Sequence, residues 1–267
     1  FFNHLSNISL LTNMKTFVIN LDRCPDRMQS IKQQLNTLNL PFERISAVDK
    51  HNLTSQDICS ITHNSRIDRE WLRPLNAGQI ACFLSHKKCW EALLNSKENW
   101  ALILEDDAEL SADIKNFFID DSPENWCPNN VKLIQLESAK QKTKAFNRQP
   151  NIIVKGRNLI NMARCVHGTA GYLIHRSIAK TLLETYKKFD QPVDLSIFSI
   201  WSSIYNRIRP YQMNPGLIRQ KDFQSDISSH KKESVSIFLR YHPIRIWRSI
   251  LISIKMKNSN RIRIDFK

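Results

Sequence analysis

Glycine is scarce in this chain, with five among 267 residues. Neither G-x-G-x-x-G nor G-x-x-x-x-G-K-[ST] occurs anywhere in the sequence. Because the nucleotide cradles of Rossmann and P-loop folds are built on such glycines, both are excluded. Any phosphate that this protein binds must therefore be neutralised by a metal ion and by basic side chains.

The cysteines also lack a pattern. Six stand at positions 24, 59, 82, 89, 127 and 165, with no C-x-x-C pair. This spacing indicates neither a zinc knuckle nor a secreted disulfide scaffold, so we expect a reducing cytosol. No run reaches the roughly 18 apolar residues that span a bilayer. Residues 1–13 do not resemble a signal peptide, and we expect the working protein to begin near Met14 after a dispensable extension.

Positive charge is in excess, with 39 Lys and Arg against 25 Asp and Glu, a net charge of +14. The last residues are especially basic and carry these cations: Arg240, Arg245, Arg248, Lys255, Lys257, Arg261, Arg263 and Lys267. Isoleucines and Trp247 lie between them, a composition that favours an interfacial helix on anionic lipid. A nucleic-acid-binding segment and a solvated helix packed on the domain are the alternatives.

Three consecutive carboxylates, Glu105, Asp106 and Asp107, follow the apolar run at 100–104. The run is typical of a buried strand in a parallel sheet, and such sheets bind ligands at the carboxyl ends of their strands. Side chains alternate along a strand, so we expect Glu105 and Asp107 on one face and Asp106 on the other. Two hard oxygen ligands suit Mn²⁺ or Mg²⁺. The alternative is an acidic loop that merely ends a strand.

Hydrophobic periodicity predicts alternating strands and helices, hence an α/β protein with a mostly parallel sheet. Predicted strands cover 16–21, 42–48, 100–104, 131–136, 151–154, 158–163 and 169–174. One predicted helix begins at Pro25, and three more cover 77–94, 176–187 and 193–205. Residues 51–73 are polar and are expected to form a mobile loop. We predict an extension at 1–13, one domain at 14–235 and a basic amphipathic helical tail at 236–267.

Several segments resemble glycosyltransferase family 25, the bacterial lipooligosaccharide galactosyltransferases, in order and spacing over roughly 16–230. They are Phe17–Arg27, Arg44–Asp49, Ala77–His86, Leu102–Ala108, Gly168–Ile174, Pro192–Asp194 and Gln224–Ile227. One departure is Gln79-Ile80-Ala81, where the family usually has an acidic residue and a second glycine. The resemblance implies a GT-A fold, a UDP-sugar donor, most often UDP-galactose, and inverting transfer to a lipooligosaccharide hydroxyl. Together with the basic tail, it places the protein on the inner face of the cytoplasmic membrane.

The resemblance also assigns roles to particular residues, each with a purely structural alternative. The expected metal ligands are Asp107 and Glu105. The expected nucleotide-sugar contacts are Asn20, Leu21, Arg27, Ala47, Asp49, Ser85, His86, Asp106, Gly171 and Tyr172. Asn20 and Leu21 are expected near uracil, Asp49 near ribose, and Tyr172 stacked on the sugar or filling core. Asp106 is expected chiefly to orient the loop.

Inverting transfer requires a general base that deprotonates the acceptor hydroxyl. Asp194 is the preferred candidate, because it follows Pro192 and precedes an apolar helix that could raise its pKa. The alternative is a carboxylate that stabilises a helix N-terminus, and Asp226 and Asp222 are in reserve. Two other functions stay open: a metal-dependent phosphoesterase that uses Glu105 and Asp107, and a basic nucleic-acid-binding module.

Overall fold

The computed structural model describes residues 14–62, 74–139, 143–146, 152–163, 166–221 and 259–267. Its strands are β1 Met14–Asn20, β2 Glu43–Ser46, β3 Trp100–Glu105, β4 Ala108–Leu110, β5 Leu133–Gln135, β6 Thr143–Phe146, β7 Ile152–Val154, β8 Arg157–Ile160, β9 Gly171–His175, β10 Tyr211–Asn214, β11 Ile218–Gln220 and β12 Ser259–Ile262. Its α-helices are α1 Pro25–Thr37, α2 Ser55–Ile61, α3 Ala77–Asn95, α4 Ile114–Phe118, α5 Pro123–Trp126, α6 Arg176–Thr185, α7 Val193–Phe198 and α8 Tyr205–Ile208.

Eight strands form a central sheet in the order β2-β1-β3-β9-β5-β10-β8-β7. Strands β9 and β8 run antiparallel to their neighbours, while the other six point in one direction. Helices pack on both faces and bury two large apolar clusters. The predicted α/β architecture with a mostly parallel sheet is therefore confirmed.

The register of the first three strands places the ends of the strands side by side. Ile19 of β1 lies opposite Glu105 of β3, and Asn20 lies opposite Ser46 of β2. The five residues at 100–104 are all buried, as expected for a strand covered on both faces. The carboxyl ends of β1, β2 and β3 consequently meet at one edge of the sheet.

Helix α3 leads the chain into β3 and begins as the sequence predicts. Asn76 Oδ1 accepts a hydrogen bond from Gln79 N at 2.9 Å, and Gln79 Oε1 accepts one from Asn76 N at 3.0 Å. This reciprocal pair is a capping box, which satisfies two backbone donors at the helix start. The glutamine that departs from the family pattern, Gln79, is therefore the third-residue partner of the N-cap Asn76 in this capping box.

Part of the predicted mobile loop at 51–73 is regular structure. Residues Lys50–Asn52 form a 3₁₀ turn, and α2 follows with a capping box between Thr54 and Asp57. The prediction of a loop is therefore wrong for 51–62, because these local caps were not recognised in the polar sequence. Residues 63–73 lie outside the described residues.

The predicted helix at 193–205 is two short helices, α7 and α8. Between them, Ser199 Oγ accepts from Trp201 N at 3.1 Å and Ser202 Oγ accepts from Ile204 N at 3.4 Å. Serine side chains that bond the backbone compete with helical hydrogen bonds, which explains the interruption.

The last nine residues are not helical, contrary to the predicted helical tail. Strand β12 pairs antiparallel with β6, and Ile264 is 1% exposed. Gly216 N donates to Asp265 O at 2.6 Å, which ties this end to the domain. Apolar residues at 262, 264 and 266 alternate with polar ones, a strand pattern that the charge of the tail obscured. Residues 222–258, including the predicted boundary at 235, lie outside the described residues.

Among the described helices, none is long and apolar enough to cross a membrane.

Candidate active site

A pocket with about 750 Å³ of empty space opens where β1, β2 and β3 end, beside the first half of α3. Its lining contains nine of the thirteen predicted site residues, namely Asn20, Leu21, Arg27, Ala47, Ser85, His86, Glu105, Asp106 and Asp107. The structure thus brings together residues that lie up to 87 positions apart (Asn20 to Asp107) in the sequence. Asp49, Gly171, Tyr172 and Asp194 do not line this pocket.

Asp106 holds the turn that follows β3. Its carboxylate accepts hydrogen bonds from Asn20 Nδ2 at 2.7 Å and from Arg27 Nη1 at 3.3 Å. Residues 106 and 107 form a turn, and all three acidic residues line the same pocket. The Asp106 carboxylate contacts Arg27 of α1, whereas that of Glu105 contacts His86 of α3, so these two neighbouring side chains point toward different helices, in keeping with the expected alternation.

Asn20 is fully engaged by the protein. Its Nδ2 donates to Cys24 O at 3.0 Å as well as to Asp106, and its Oδ1 accepts from Arg44 Nε at 3.0 Å. The side chain is therefore committed to joining the ends of β1, β2 and β3, which does not fit the predicted contact of this amide with uracil.

Glu105 is positioned by a chain of hydrogen bonds that crosses the core. Trp90 Nε1 donates to the Tyr172 hydroxyl at 2.9 Å, and that hydroxyl lies 3.0 Å from His86 Nδ1. His86 Nε2 lies 3.2 Å from Glu105 Oε1, to which Thr169 also donates. If Tyr172 donates to Nδ1, the ring proton resides on Nε2 and points at Glu105. Burial raises the pKa of Glu105, but these hydrogen bonds outweigh it and leave the pKa lowered.

Asp107 lies next to Glu105 and behaves in the opposite way. Burial, followed by the negative charge of Glu105, raises the pKa of Asp107 to about 7. Gln220 Nε2 donates to its Oδ2 at 3.0 Å, whereas its buried Oδ1 has no hydrogen-bond partner among the described residues. A buried acceptor without a partner is costly, and two adjacent carboxylates oppose each other's ionisation. Both costs disappear if a cation binds between them.

Basic side chains also line the pocket. Arg23, Arg27 and Lys50 all border it. Arg23 Nε also donates to Asp49 Oδ2 at 2.7 Å, and Asp49 caps the 3₁₀ turn by accepting from His51 N at 3.0 Å. Asp49 is thus engaged at the rim by protein groups rather than directed into the pocket. Sequence reasoning missed Arg23 and Lys50, which stand among many other cations.

Ala47 and Ser85 close the wall between β2 and α3. Ala47 N donates to Asn20 O at 3.0 Å, so this small residue sits beside the end of β1. Ser85 Oγ donates to Ala81 O at 2.8 Å and accepts from Val48 N at 2.9 Å. The serine therefore joins the helix to the strand end and fixes the width of the pocket there.

The structure does not bring Tyr172 and Gly171 to the pocket. The Tyr172 ring is fully buried, with its hydroxyl between Trp90 and His86, so stacking on a sugar does not fit its position. A Cβ atom at Gly171 would lie 2.0 Å from Ile218 Cδ1. The absent side chain therefore makes room for β11 and not for a ligand.

Asp194 lies near the pocket at the start of α7, with a side chain that is 16% exposed. Its Oδ2 accepts from Gly168 N at 3.2 Å and lies 3.4 Å from His167 Nδ1, while its Oδ1 accepts from Leu195 N at 2.9 Å. His167 is mostly exposed and was not singled out from the sequence. Asp222 and Asp226, the reserve candidates, lie outside the described residues.

Glu137 is a further buried acidic residue, and sequence reasoning missed it. It is 5% exposed, and its Oε2 accepts from Ala170 N at 2.9 Å. Burial raises the pKa of Glu137 well above its usual value, and the charges of Glu105, Asp107 and Asp194 add to the effect. A Cβ at Gly168 would lie 2.6 Å from this carboxyl, so the glycine is required there. The sequence does contain a signal for this residue, because Glu137 follows an apolar, buried run just as Glu105 does.

The raised pKa of Glu137 predicts how the stability of the protein depends on pH. Above about pH 4.5 the folded protein keeps a proton that the unfolded chain has released, so the free energy of unfolding falls as pH rises. Glu137→Gln is neutral in both states and escapes this loss, by about 1.4 kcal/mol for each unit of raised pKa. Thermal melts of the metal-free proteins from pH 4 to 8 should therefore diverge, with the variant more stable at high pH.

Glu184→Gln, an exposed acid on α6, is the control for this experiment and should track the wild type at every pH. Melting curves of Glu137→Gln that also run parallel to the wild type would contradict the burial of an unfavourable charge at Glu137.

Comparison with known proteins identifies the family to which this pocket belongs. Residues 13–197 match the profile of glycosyltransferase family 25, described as an LPS biosynthesis protein family. A Haemophilus influenzae protein named as a glycosyltransferase is 29% identical over 210 residues, which cover 76% of this chain and 69% of that protein. The H. influenzae lipooligosaccharide biosynthesis protein lic2B is 24% identical over 256 residues and 92% of each chain.

A third relative is the lacto-N-neotetraose biosynthesis glycosyltransferase LgtE of Neisseria meningitidis serogroup B. It is 23% identical over 215 residues, which cover 78% of this chain and 74% of that protein. The family profile extends over more than half of the chain and contains β1, β2, α3 and β3, whose ends form the pocket. The chain therefore belongs to glycosyltransferase family 25.

Proposed function

We propose that this glycosyltransferase moves a hexose, foremost galactose from UDP-galactose, onto a lipooligosaccharide glycan with inversion at the anomeric carbon, in a metal-dependent reaction. The observation that carries the proposal is the buried Asp107 Oδ1, which has no partner among the described residues and lies beside Glu105. A site of this kind favours a divalent cation, and a nucleotide diphosphate is the substrate that commonly brings one.

The donor atoms fit that cation. Asp107 and Glu105 offer carboxylate oxygens, the ligands preferred by Mn²⁺ and Mg²⁺. One oxygen of Asp107 is already desolvated and has no hydrogen-bond partner in the described part of the chain. We assign these two residues as the groups that would hold the metal. When bound, the metal would neutralise the diphosphate leaving group.

The remaining residues of the pocket have separate tasks. Arg23, Arg27 and Lys50 supply positive charge for the diphosphate, and guanidinium groups suit phosphate oxygens through paired hydrogen bonds. Ala47 is small and leaves space beside the end of β1 for the uracil ring of the nucleotide. His86 and Thr169 hold Glu105 in one orientation, which keeps the carboxylate aimed without a cost at each turnover.

Asp194 is our proposed general base. Two backbone donors, Gly168 N and Leu195 N, orient its carboxylate. The next residue, Thr169, contacts Glu105, so Asp194 and the metal-binding pair are linked through two consecutive residues, Gly168 and Thr169. A base at this place would take the proton of an acceptor hydroxyl as that hydroxyl attacks the sugar. His167 lies beside it and is the alternative base.

The acceptor class is inferred from the relatives. The protein lic2B, which matches 92% of this chain, is named for lipooligosaccharide biosynthesis, and the family description names LPS biosynthesis. Such acceptors are anchored in a membrane. We therefore propose that the basic segment at 240–258 holds the enzyme at the anionic inner face of the cytoplasmic membrane, where each cation contributes about 1 kcal/mol.

The metal assignment predicts the effect of Asp107→Asn. Transfer should fall by about a thousandfold or more, because several kcal/mol of transition-state stabilisation is lost with the leaving-group charge uncompensated. In EDTA the variant should melt no lower than the wild type, since a buried carboxylate has been removed. Transfer rates measured with saturating Mn²⁺ test the loss of activity, and thermal melting curves measured without Mn²⁺ test the effect on stability.

Glu109→Gln is the matched control for Asp107→Asn, because Glu109 lies two residues further on and pairs with Arg219 at the surface. It should retain full activity. Undiminished transfer by the wild type in excess EDTA would show that the reaction needs no metal.

The base assignment predicts that Asp194→Asn lowers kcat by roughly a hundred- to ten-thousandfold, with little change in the KM for the UDP-sugar. His167→Gln should cost less than about tenfold if Asp194 acts directly. Asp190→Asn, four residues earlier, serves as the control. Should His167→Gln lose as much as Asp194→Asn, the imidazole would be the base and Asp194 its positioning residue.

The membrane proposal predicts that neutralising Arg245, Arg248, Lys255 and Lys257 to Gln weakens sedimentation with phosphatidylglycerol vesicles at least tenfold. Raising the salt concentration should weaken wild-type binding in the same direction, because mobile ions screen surface charge. The control neutralises four exposed lysines of the described domain: Lys97, Lys180, Lys187 and Lys188. Substitution is preferable to truncation because residues 259–267 pack on the domain. Equal binding by both quadruple variants would refute the proposal.

A further inference from the structure

Three metal-binding side chains of different chemistry converge on one wall of the pocket. Cys82 and His86 are one helical turn apart on α3 and face Glu105 at the end of β3. One ligand atom from each lies within 4.8 Å of the other two, and His86 Nε2 is 3.2 Å from Glu105 Oε1. Among the described residues, this is the single group of three such donors that lies so close together.

The donor set differs from that of the Glu105–Asp107 pair. A sulfur, an imidazole nitrogen and a carboxylate oxygen suit Zn²⁺, whereas Mn²⁺ and Mg²⁺ prefer oxygen alone. Tetrahedral zinc places its ligand atoms about 3.3 to 3.8 Å apart, given bonds of about 2.0 to 2.3 Å. The separation of His86 Nε2 and Glu105 Oε1, 3.2 Å, lies just below that range, and small movements of the Glu105 and Cys82 side chains complete the geometry.

The surroundings support a cation at this wall. His86 Nδ1 contacts the Tyr172 hydroxyl, which is the outer hydrogen bond that usually orients a zinc-bound imidazole. Burial, followed by the negative charges of Glu105, Asp194 and Asp107, raises the pKa of the Cys82 thiol, and a bound cation would offset those charges. All three donors border the pocket, so a fourth position stays open to water or to a ligand.

We propose that Cys82, His86 and Glu105 form a zinc site that switches off the transferase. Binding converts the Cys82 thiol to a thiolate and releases its proton to solvent, while the His86 ring proton resides on Nδ1. Zinc held by Glu105 beside His86 would compete for this carboxylate with the metal that Glu105 and Asp107 share, which is how the site would inhibit transfer. The inhibition rests on the proposed function, whereas the zinc site itself does not.

Cobalt provides a test that needs no activity. The full chain, reduced and metal-free, is titrated with Co²⁺, and a near-ultraviolet thiolate-to-cobalt charge-transfer band is expected to saturate at one ion per chain. Cys82→Ser should abolish the band. Cys59→Ser, which alters an exposed thiol on α2, and Asp107→Asn should both retain it. Excess Mg²⁺ should not displace the cobalt, whereas one equivalent of Zn²⁺ should.

The absence of this band in the wild type would overturn the site, whatever the variants do. Retention of the band in a folded Cys82→Ser protein would overturn it as well. For the inhibition, Zn²⁺ is titrated into the Mn²⁺-supported transfer reaction, and each protein is compared with its own zinc-free rate. The concentration for half-inhibition should rise at least tenfold in Cys82→Ser. Equal sensitivity would place the inhibitory zinc on Glu105 and Asp107 and refute the switch.

Failure of the proposed transfer reaction would look different. In that case no UDP-sugar would be turned over by the wild type, yet the cobalt band and its loss in Cys82→Ser would remain.

Discussion

The accumulation of negative charge behind the pocket is the constraint on which the rest of the site depends. Glu105, Asp107, Glu137 and Asp194 act on one another electrostatically, and the first three are largely buried. Like charges at short range in a poorly solvated place cannot all remain ionised. Hydrogen bonds offset this charge at Glu105, proton uptake removes it at Glu137, and at Asp107 a desolvated oxygen is left without a partner among the described residues, a position that suits a cation. The same group of buried carboxylates thus provides the proposed cation site and lowers the free energy of unfolding.

The fold makes this concentration of charge possible by ending three strands at one level. Parallel pairing of β1 with β2 and β3 aligns Asn20, Ser46 and Glu105, and Asn20 then joins the loops that follow. Strand β9 runs the other way between β3 and β5, and the residues that precede it pass the ends of both strands. Thr169 and Ala170 therefore contact Glu105 and Glu137. A uniformly parallel sheet would have kept these residues at the opposite edge.

Much of this could be predicted from local sequence. The buried run before Glu105, Pro25 at the start of α1 and the cap at Asn76 each depend on neighbours in the chain. The sequence therefore predicts the bounds of β3 and α3, and the start of α1, nearly correctly. Tyr172 and Gly171 were misplaced because their roles come from contacts with distant residues. Tyr172 bonds to Trp90 and His86, 82 and 86 positions away, and Gly171 accommodates Ile218. No spacing in the sequence reveals such neighbours.

Glu137 and Cys82 illustrate two different reasons for missing a functional group. Glu137 repeats the strand-then-carboxylate pattern of Glu105, so it was accessible to the same reasoning and was overlooked because a single acid draws less attention than three. Cys82 was dismissed because it has no cysteine partner at metal-binding spacing, although a histidine one turn later and a carboxylate across the sheet supply the missing ligands. Glu105 is the residue common to both sets of donors. Under the two metal assignments proposed above, the carboxylate that His86 orients toward one cation also lies within reach of the other. Activity or inhibition would then depend on whether the arriving metal prefers oxygen or sulfur ligands.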